Sequence, residues 1–168
     1  MMFSVFNNAS GFKLSAEQVV GEIAGFMLEE PDRHYRIIIG TDSGFFTDDS
    51  ADFVTAIVVY RVNNGGRYFW CRLTQPKFHT LRDRIIHEAL TSIEIAKEVL
   101  SAIKKQPDFA VADNKQIKWD FEIHVDIGEN GQTKSMIQEV VGMVRANNFL
   151  VRTKPDSYVA SKVADRHA

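Results

Sequence analysis

The stretch Arg36-Ile37-Ile38-Ile39-Gly40-Thr41-Asp42 decides the fold. A short β-branched run with apolar residues at consecutive positions presents them to both faces of a sheet. It therefore reads as a central strand covered on both sides. The run closes on an acid. A carboxylate at the end of a buried strand needs a counter-charge, a hydrogen-bond network or a metal, because an unpaired buried charge is expensive. The pattern recurs in Phe121-Glu122-Ile123-His124-Val125-Asp126, a second strand ending on an acid. In sheets with parallel strands, ligands bind beyond the carboxyl ends. If these two strands are parallel neighbours, Asp42 and Asp126 lie side by side and repel each other without a cation.

Working outward, Met1 to Phe12 reads as an irregular segment. Ser15 with Gln18 makes a capping box. Val19, Val20, Ile23, Phe26 and Met27 follow at helical spacing, and Pro31 ends this N-terminal helix. Beyond Asp42, Phe53–Val62 and Tyr68–Leu73 are strands joined by Asn63-Asn64-Gly65-Gly66. Those four residues tolerate positive φ, so the pair forms an antiparallel hairpin. From about Leu81 to Ile103 the period becomes helical, with Ile85, Ala89, Ile93, Ala96, Val99, Leu100 and Ile103 on one stripe. A polar segment with Pro107 and Asn114 separates this helix from the Phe121 strand. A helix over Met136–Arg145, a strand over Phe149–Thr153 and a short helix from Ser157 to about Arg166 complete the chain. A hairpin run followed by alternating units implies a mixed sheet with helices on its faces.

The 168 residues suit one domain, 45% of them hydrophobic and 25% charged, the balance of a packed globular chain. A net charge of -2 excludes a protein held to nucleic acid by bulk charge. Any such contact has to be local or bridged by metal. The single cysteine, Cys71, allows no intrachain disulfide and reads as a small buried strand residue. Met1 to Phe12 lacks the pattern of a signal peptide. No segment is apolar over the ~20 residues a membrane span needs. A cytoplasmic protein with no membrane partner is expected.

Two more acids join the pair. At ~100° per residue, Glu88 falls about 90° from the centre of the apolar stripe, beside Ser92, Ile95 and Val99. It can reach over the sheet edge, whereas Glu94 falls about 150° away on the solvent face. The alternative for Glu88 is a salt bridge to Arg84, one turn earlier. Asp156, between Pro155 and Ser157, is either a fourth site acid or an N-cap of the last helix. Asp165 lies on the opposite face of that helix, so either it or Asp156, not both, completes a compact site.

A strand ending in Asp, a helix carrying Glu, a later strand ending in Asp and a C-terminal helix opening with Asp resemble the ribonuclease H-like fold. More narrowly, three segments are similar to the YkuK-type family, a group of small bacterial proteins in that superfamily. They are Ile39-Gly40-Thr41-Asp42-Ser43, His124-Val125-Asp126-Ile127-Gly128 and Lys154-Pro155-Asp156-Ser157-Tyr158-Val159-Ala160-Ser161. The resemblance extends from Tyr35 onward. It implies a single ribonuclease H-like α/β domain over 1–168, a mixed five-stranded sheet flanked by helices, with an extra N-terminal helix. It also implies that Asp42, Glu88, Asp126 and Asp156 hold Mg²⁺ or Mn²⁺ in a two-metal site that cleaves phosphodiester bonds of DNA or RNA. Ser43 then lies toward the substrate. Gly44 departs from the pattern, where a larger polar residue is expected, and alters the seat of a substrate strand. The alternative is a non-catalytic module of the same fold that binds nucleic acid or a protein partner.

Three weaker signals remain. Gly128-Glu129-Asn130-Gly131-Gln132-Thr133-Lys134-Ser135 approaches a phosphate-binding loop but has Thr133 where glycine must precede the lysine, so no nucleotide cofactor is expected. The segment reads as a turn with Thr133 or Ser135 capping the next helix, and Lys134 as a candidate contact to a substrate phosphate. His79, His87, His124 and His167 lack zinc spacing. His124 shares a strand face with Asp126, either as a proton-transfer group or as a satisfied, partly buried histidine. Lys77, Arg82 and Arg84 form a modest basic cluster, either a solvated face or a contact to a nucleic-acid backbone.

Overall fold

The computed structural model describes residues 4–157 together with 162, 163, 166 and 167, with Phe45 described in its backbone alone. In chain order its elements are β1 (Phe6–Asn8), β2 (Lys13–Leu14), α1 (Ala16–Glu29), β3 (His34–Phe45), β4 (Ala51–Arg61) and β5 (Gly66–Gln75). Then come α2 (Leu81–Lys105), α3 (Pro107–Asn114), β6 (Lys118–His124), a 3₁₀ turn (Lys134–Met136) running into α4 (Ile137–Ala146), and β7 (Leu150–Arg152). The sheet order is β2-β1-β5-β4-β3-β6-β7. β3, β4 and β5 are antiparallel, whereas β6 runs parallel to both β3 and β7.

The expected mixed five-stranded sheet is the β5-β4-β3-β6-β7 portion. β1 and β2 widen it to seven, and β1 corrects the reading of residues 1–12 as irregular. Asn7 and Asn8 pair with Trp70 and Phe69 and cover the outer edge of β5, and the Phe6 side chain is fully buried. Covering an edge leaves fewer unpaired backbone groups for another chain to find.

Local chemistry explains the rest. Ser15 Oγ accepts from Gln18 N at 3.2 Å while Ser15 N donates to Gln18 Oε1 at 2.8 Å, the expected capping box. In the β4–β5 turn Asn63 and Gly65 take positive φ of 63° and 76°. Thr80 caps α2 by accepting from Asp83 N at 3.0 Å. The polar connector around Pro107 is corrected to α3. Pro107 starts that helix, where a missing N–H costs nothing, and Phe109 and Ala112 are buried.

Alternation along β3 divides the core. Ile37 and Ile39 join Ile57, Val59 and Ile123 on the face covered by α1 and α2. Ile38 and Val58 face the other way, packed with Tyr60, Tyr68 and Val163. On that second face His167 stacks on Trp70, centroids 4.2 Å apart and planes within 9°. The last expected helix, and Asp165 with it, falls largely outside the described residues; 162, 163, 166 and 167 are helical. Among the described residues no helix is long and apolar enough to cross a membrane.

Candidate functional site

The parallel ladder of β3 and β6 pairs Ile37 with Phe121, Ile39 with Ile123 and Gly40 with His124. Asp42 and Asp126 each lie two residues beyond that last pair. The two strands are therefore parallel neighbours; Asp126 lies just past the carboxyl end of β6, whereas Asp42, expected to end its strand, sits within β3, which runs on to Phe45 and pairs Asp42 with Val54. By alternation both acids belong to the second face, with Ile38, Gly40, Glu122 and His124. Thr41 and Ser43 belong to the face beneath α2.

A polar seam runs between β3 and α2 at this end of the sheet. Ser92 Oγ donates to Thr41 Oγ1 at 2.8 Å, and Thr41 shares a 2.8 Å hydrogen bond with Thr55 Oγ1, all buried. One helical turn earlier, Ser43 Oγ donates to Glu88 Oε1 at 2.5 Å. Another turn earlier, Arg84 Nη1 donates to the Ser43 carbonyl at 3.2 Å. Residues four apart on a helix share a face, so Arg84, Glu88 and Ser92 are matched to alternate residues of one strand. Glu88 is thereby delivered to the rim that Asp42 and Asp126 occupy. Its carboxyl is pushed up to about 7, first by burial and further by the charge of Asp126; the Ser43 hydroxyl and Arg84 oppose the rise. Ser43, expected toward substrate, has its hydroxyl on Glu88.

On the other side of the rim, Lys154 Nζ stands 3.1 Å from Asp126 Oδ1. Asp156 sits exposed in the turn after β7, its N–H donating to the Thr153 carbonyl at 2.9 Å. The helix residues it would cap lie outside those described. In the loop after Asp126, Thr133 and Ser135 make no side-chain cap. Thr133 Oγ1 instead accepts from Gly128 N at 3.4 Å, closing the loop on itself. Lys134 is exposed on the following 3₁₀ turn.

Sequence reasoning missed the buried network beside the site. His124 Nε2 lies 2.8 Å from Glu122 Oε1, both side chains nearly sealed from solvent, and Arg152 Nε reaches Glu122 Oε2 at 3.4 Å. Burial pushes the Glu122 carboxyl up, but the hydrogen bond and charge of His124, with Arg152 and Arg36, outweigh it and hold it below its ordinary value. The alternation Glu122-His124-Asp126 was the available signal. Asp52 was missed as well. It is buried on β4, with Arg72 Nε at 3.2 Å and a 2.9 Å hydrogen bond from Thr74 Oγ1.

The oxygen-only set of Asp42, Glu88 and Asp126 suits a hard divalent cation such as Mg²⁺ or Mn²⁺. The upward push on Glu88 comes mainly from burial, with a smaller contribution from the charge of Asp126. Among the described residues no group of three or more His, Cys, Asp or Glu is placed to hold a metal ion.

A model of the family described as Ribonuclease H-like matches residues 18–168. A protein of Bacillus subtilis (strain 168) named Uncharacterized protein YkuK is 30% identical over 168 residues, covering 96% of this chain and 95% of that protein. No solved structure matches the chain.

Proposed function

The chain belongs to the ribonuclease H-like family, in its YkuK-type branch, and on that premise we propose that it is a divalent-metal-dependent nuclease. The observation that supports the reading is the parallel register of β3 and β6, whose last pair, Gly40 with His124, leaves Asp42 and Asp126 each two residues further on at the same end of the sheet. Glu88 is bonded onto the same rim through Ser43. Asp156 would join them from the turn after β7. These four carboxylates would hold Mg²⁺ or Mn²⁺, which when bound supplies the Lewis acidity for in-line phosphodiester cleavage. In that reaction a water oxygen forms the new P–O bond, the P–O3′ bond breaks, and the proton lost by water goes to the departing oxygen through solvent. The chain's own contribution is to present the acids from β3, α2 and the turns after β6 and β7, and to offer Arg84 and Lys154 to a polyanion. Near-neutral net charge makes recognition of DNA or RNA local to this rim, and a nucleic-acid substrate suits the cytoplasm.

One observation favours a second reading. Lys154 already neutralises Asp126, as it would in a non-catalytic module that binds nucleic acid or a protein partner. A labelled panel of single-stranded, duplex, hybrid and branched substrates with Mg²⁺ or Mn²⁺ separates the two. Cutting by the wild type that a folded Asp42→Asn variant has lost supports the nuclease. Equal cutting by both proteins, or none by either, rejects it.

A further inference from the structure

Two of the segments that carry the family likeness, His124-Val125-Asp126-Ile127-Gly128 and Lys154-Pro155-Asp156-Ser157, meet in space through Lys154. Its backbone N–H donates to the Ile127 carbonyl at 2.8 Å. Its stem lies on the bare Cα of Gly128, where an added Cβ would stand 2.9 Å from Lys154 Cβ and 3.6 Å from Cδ. Its ammonium reaches Asp126 Oδ1 at 3.1 Å. Three consecutive residues of one segment therefore seat one residue of another, Ile127 holding its backbone and Asp126 and Gly128 its side chain.

A lysine that merely neutralised a partly exposed acid would need no such seat, since such pairs form from free side chains and contribute little. The seat fixes the stem and leaves the head solvated, 58% of the side chain being exposed. That is how a compact ammonium with three donors is held ready for a phosphate oxygen. Asp126 is itself 30% exposed, so an arriving cation can reach the carboxylate that Lys154 holds. Lys154 and a divalent ion would compete for the same carboxylate.

We propose that Lys154 is a substrate-binding residue of this site. Its ammonium rests on Asp126 when no strand is bound, and turns to a non-bridging phosphodiester oxygen once that carboxylate is engaged by a divalent cation. The inference rests on the nuclease reading above. It makes Lys154 a competitor of the metal and a helper of the substrate, two effects of opposite sign that a structural lysine does not produce together.

The test uses the full chain with Lys154→Met, which keeps the stem, and Gly128→Ala, which keeps the charge but crowds the seat. Mn²⁺ binding is followed by titration calorimetry. Binding of a labelled phosphorothioate oligonucleotide in Mn²⁺ is followed by anisotropy over a range of salt. Removing one competing charge should tighten Mn²⁺ binding roughly two- to fivefold in Lys154→Met, and Gly128→Ala should move the same way. The oligonucleotide should bind more weakly to Lys154→Met, with a log–log salt slope shallower by about 0.7 for one lost phosphate contact. Unchanged or weaker Mn²⁺ binding in a folded variant, or an unchanged salt slope, overturns the proposal. If Lys154→Met does not fold, Gly128→Ala decides by the same Mn²⁺ criterion. Wild-type Mn²⁺ binding that Asp42→Asn removes, with no effect of Lys154→Met, leaves the nuclease reading standing and this one fallen. No Mn²⁺ binding by the wild type overturns both.

Discussion

Two acids on one strand meet opposite fates. Glu122 lies in the middle of β6, and Asp126 lies just past its carboxyl end on the same face. Glu122 is 2% exposed and held by His124 at 2.8 Å and Arg152 at 3.4 Å. Asp126 is 30% exposed and has one lysine, 3.1 Å away, whose head stands in solvent. An acid deep in a sheet tolerates burial only when fixed donors meet it from several sides. An acid at the rim can keep a single exchangeable partner and so remain available to a ligand. The difference separates an acid that builds the sheet from one that the sheet displays.

The most direct way to break this comparison is Glu122→Ala. It leaves His124 buried and pulls away the anchor of Arg152, so unfolding in urea should show a loss of about 3 kcal/mol, as when one partner of a buried pair is removed. A loss below about 1 kcal/mol would mean that Glu122 is held no more tightly than a surface acid.

The pH dependence of stability sharpens the contrast, because Glu122 and Glu88 are shifted in opposite directions. Glu122 is held below its ordinary value, so its contribution is present above the unfolded pKa and is lost as pH falls. Glu88 is raised to about 7 from 4.5. The folded chain then binds the proton more tightly than the unfolded one, so stability falls as pH rises between those values. The loss should be about 2 kcal/mol, less than the full shift implies because the rim is partly solvated. Denaturant melts from pH 4.5 to 7.5 read it, and Glu88→Gln should flatten the curve. A curve that keeps its slope in that variant assigns it to another group.

A smaller effect is expected in the seam that delivers Glu88. Thr41→Val removes the oxygen that Ser92 donates to and Thr55 shares, stranding two buried hydroxyls. The cost should be about 1–2 kcal/mol in urea. If Ser43 alone places Glu88, the pH-dependent loss assigned to Glu88 persists unchanged in this variant.

These features were not equally legible in the sequence. Ile37-Ile38-Ile39 and the Asn63–Gly66 turn announce a central strand and a hairpin, because β-branched runs and positive-φ residues have few other uses. The acids Asp42 and Asp126 stood out from the same pattern, but β3 runs three residues beyond Asp42 because its antiparallel pairing with β4 continues past the parallel ladder with β6. β1 and β2 were not legible, since strands of two or three residues carry no period to detect. The Glu122 network was hidden for a different reason: alternation gives its face, but the cations that satisfy it come from Arg152 and Arg36 on other strands. The seat of Lys154 depends on a bare Cα meeting a distant stem, a fact of backbone placement. The site roles of Asp42, Glu88, Asp126 and Asp156 still rest on the likeness and the shared rim.

The smallest stability effect should come from the residue that matters most to the proposed chemistry. Asp126→Asn removes a partly exposed pair with Lys154, worth at most about 1 kcal/mol. It also removes a negative charge that presses on Glu88, and that relief works in the opposite sense. The two nearly cancel, so the variant should unfold within about 0.5 kcal/mol of the wild type, as substitutions outside buried networks do. Because burial is the main cause of the upward push on Glu88, its carboxyl should stay raised in this variant and the loss of stability toward neutral pH should shrink only slightly. Under the nuclease reading the same variant should lose Mn²⁺ binding and cleavage. Asp126→Asn destabilising the chain as strongly as Glu122→Ala would place Asp126 among the acids that build the sheet and remove its claim to be displayed for a ligand.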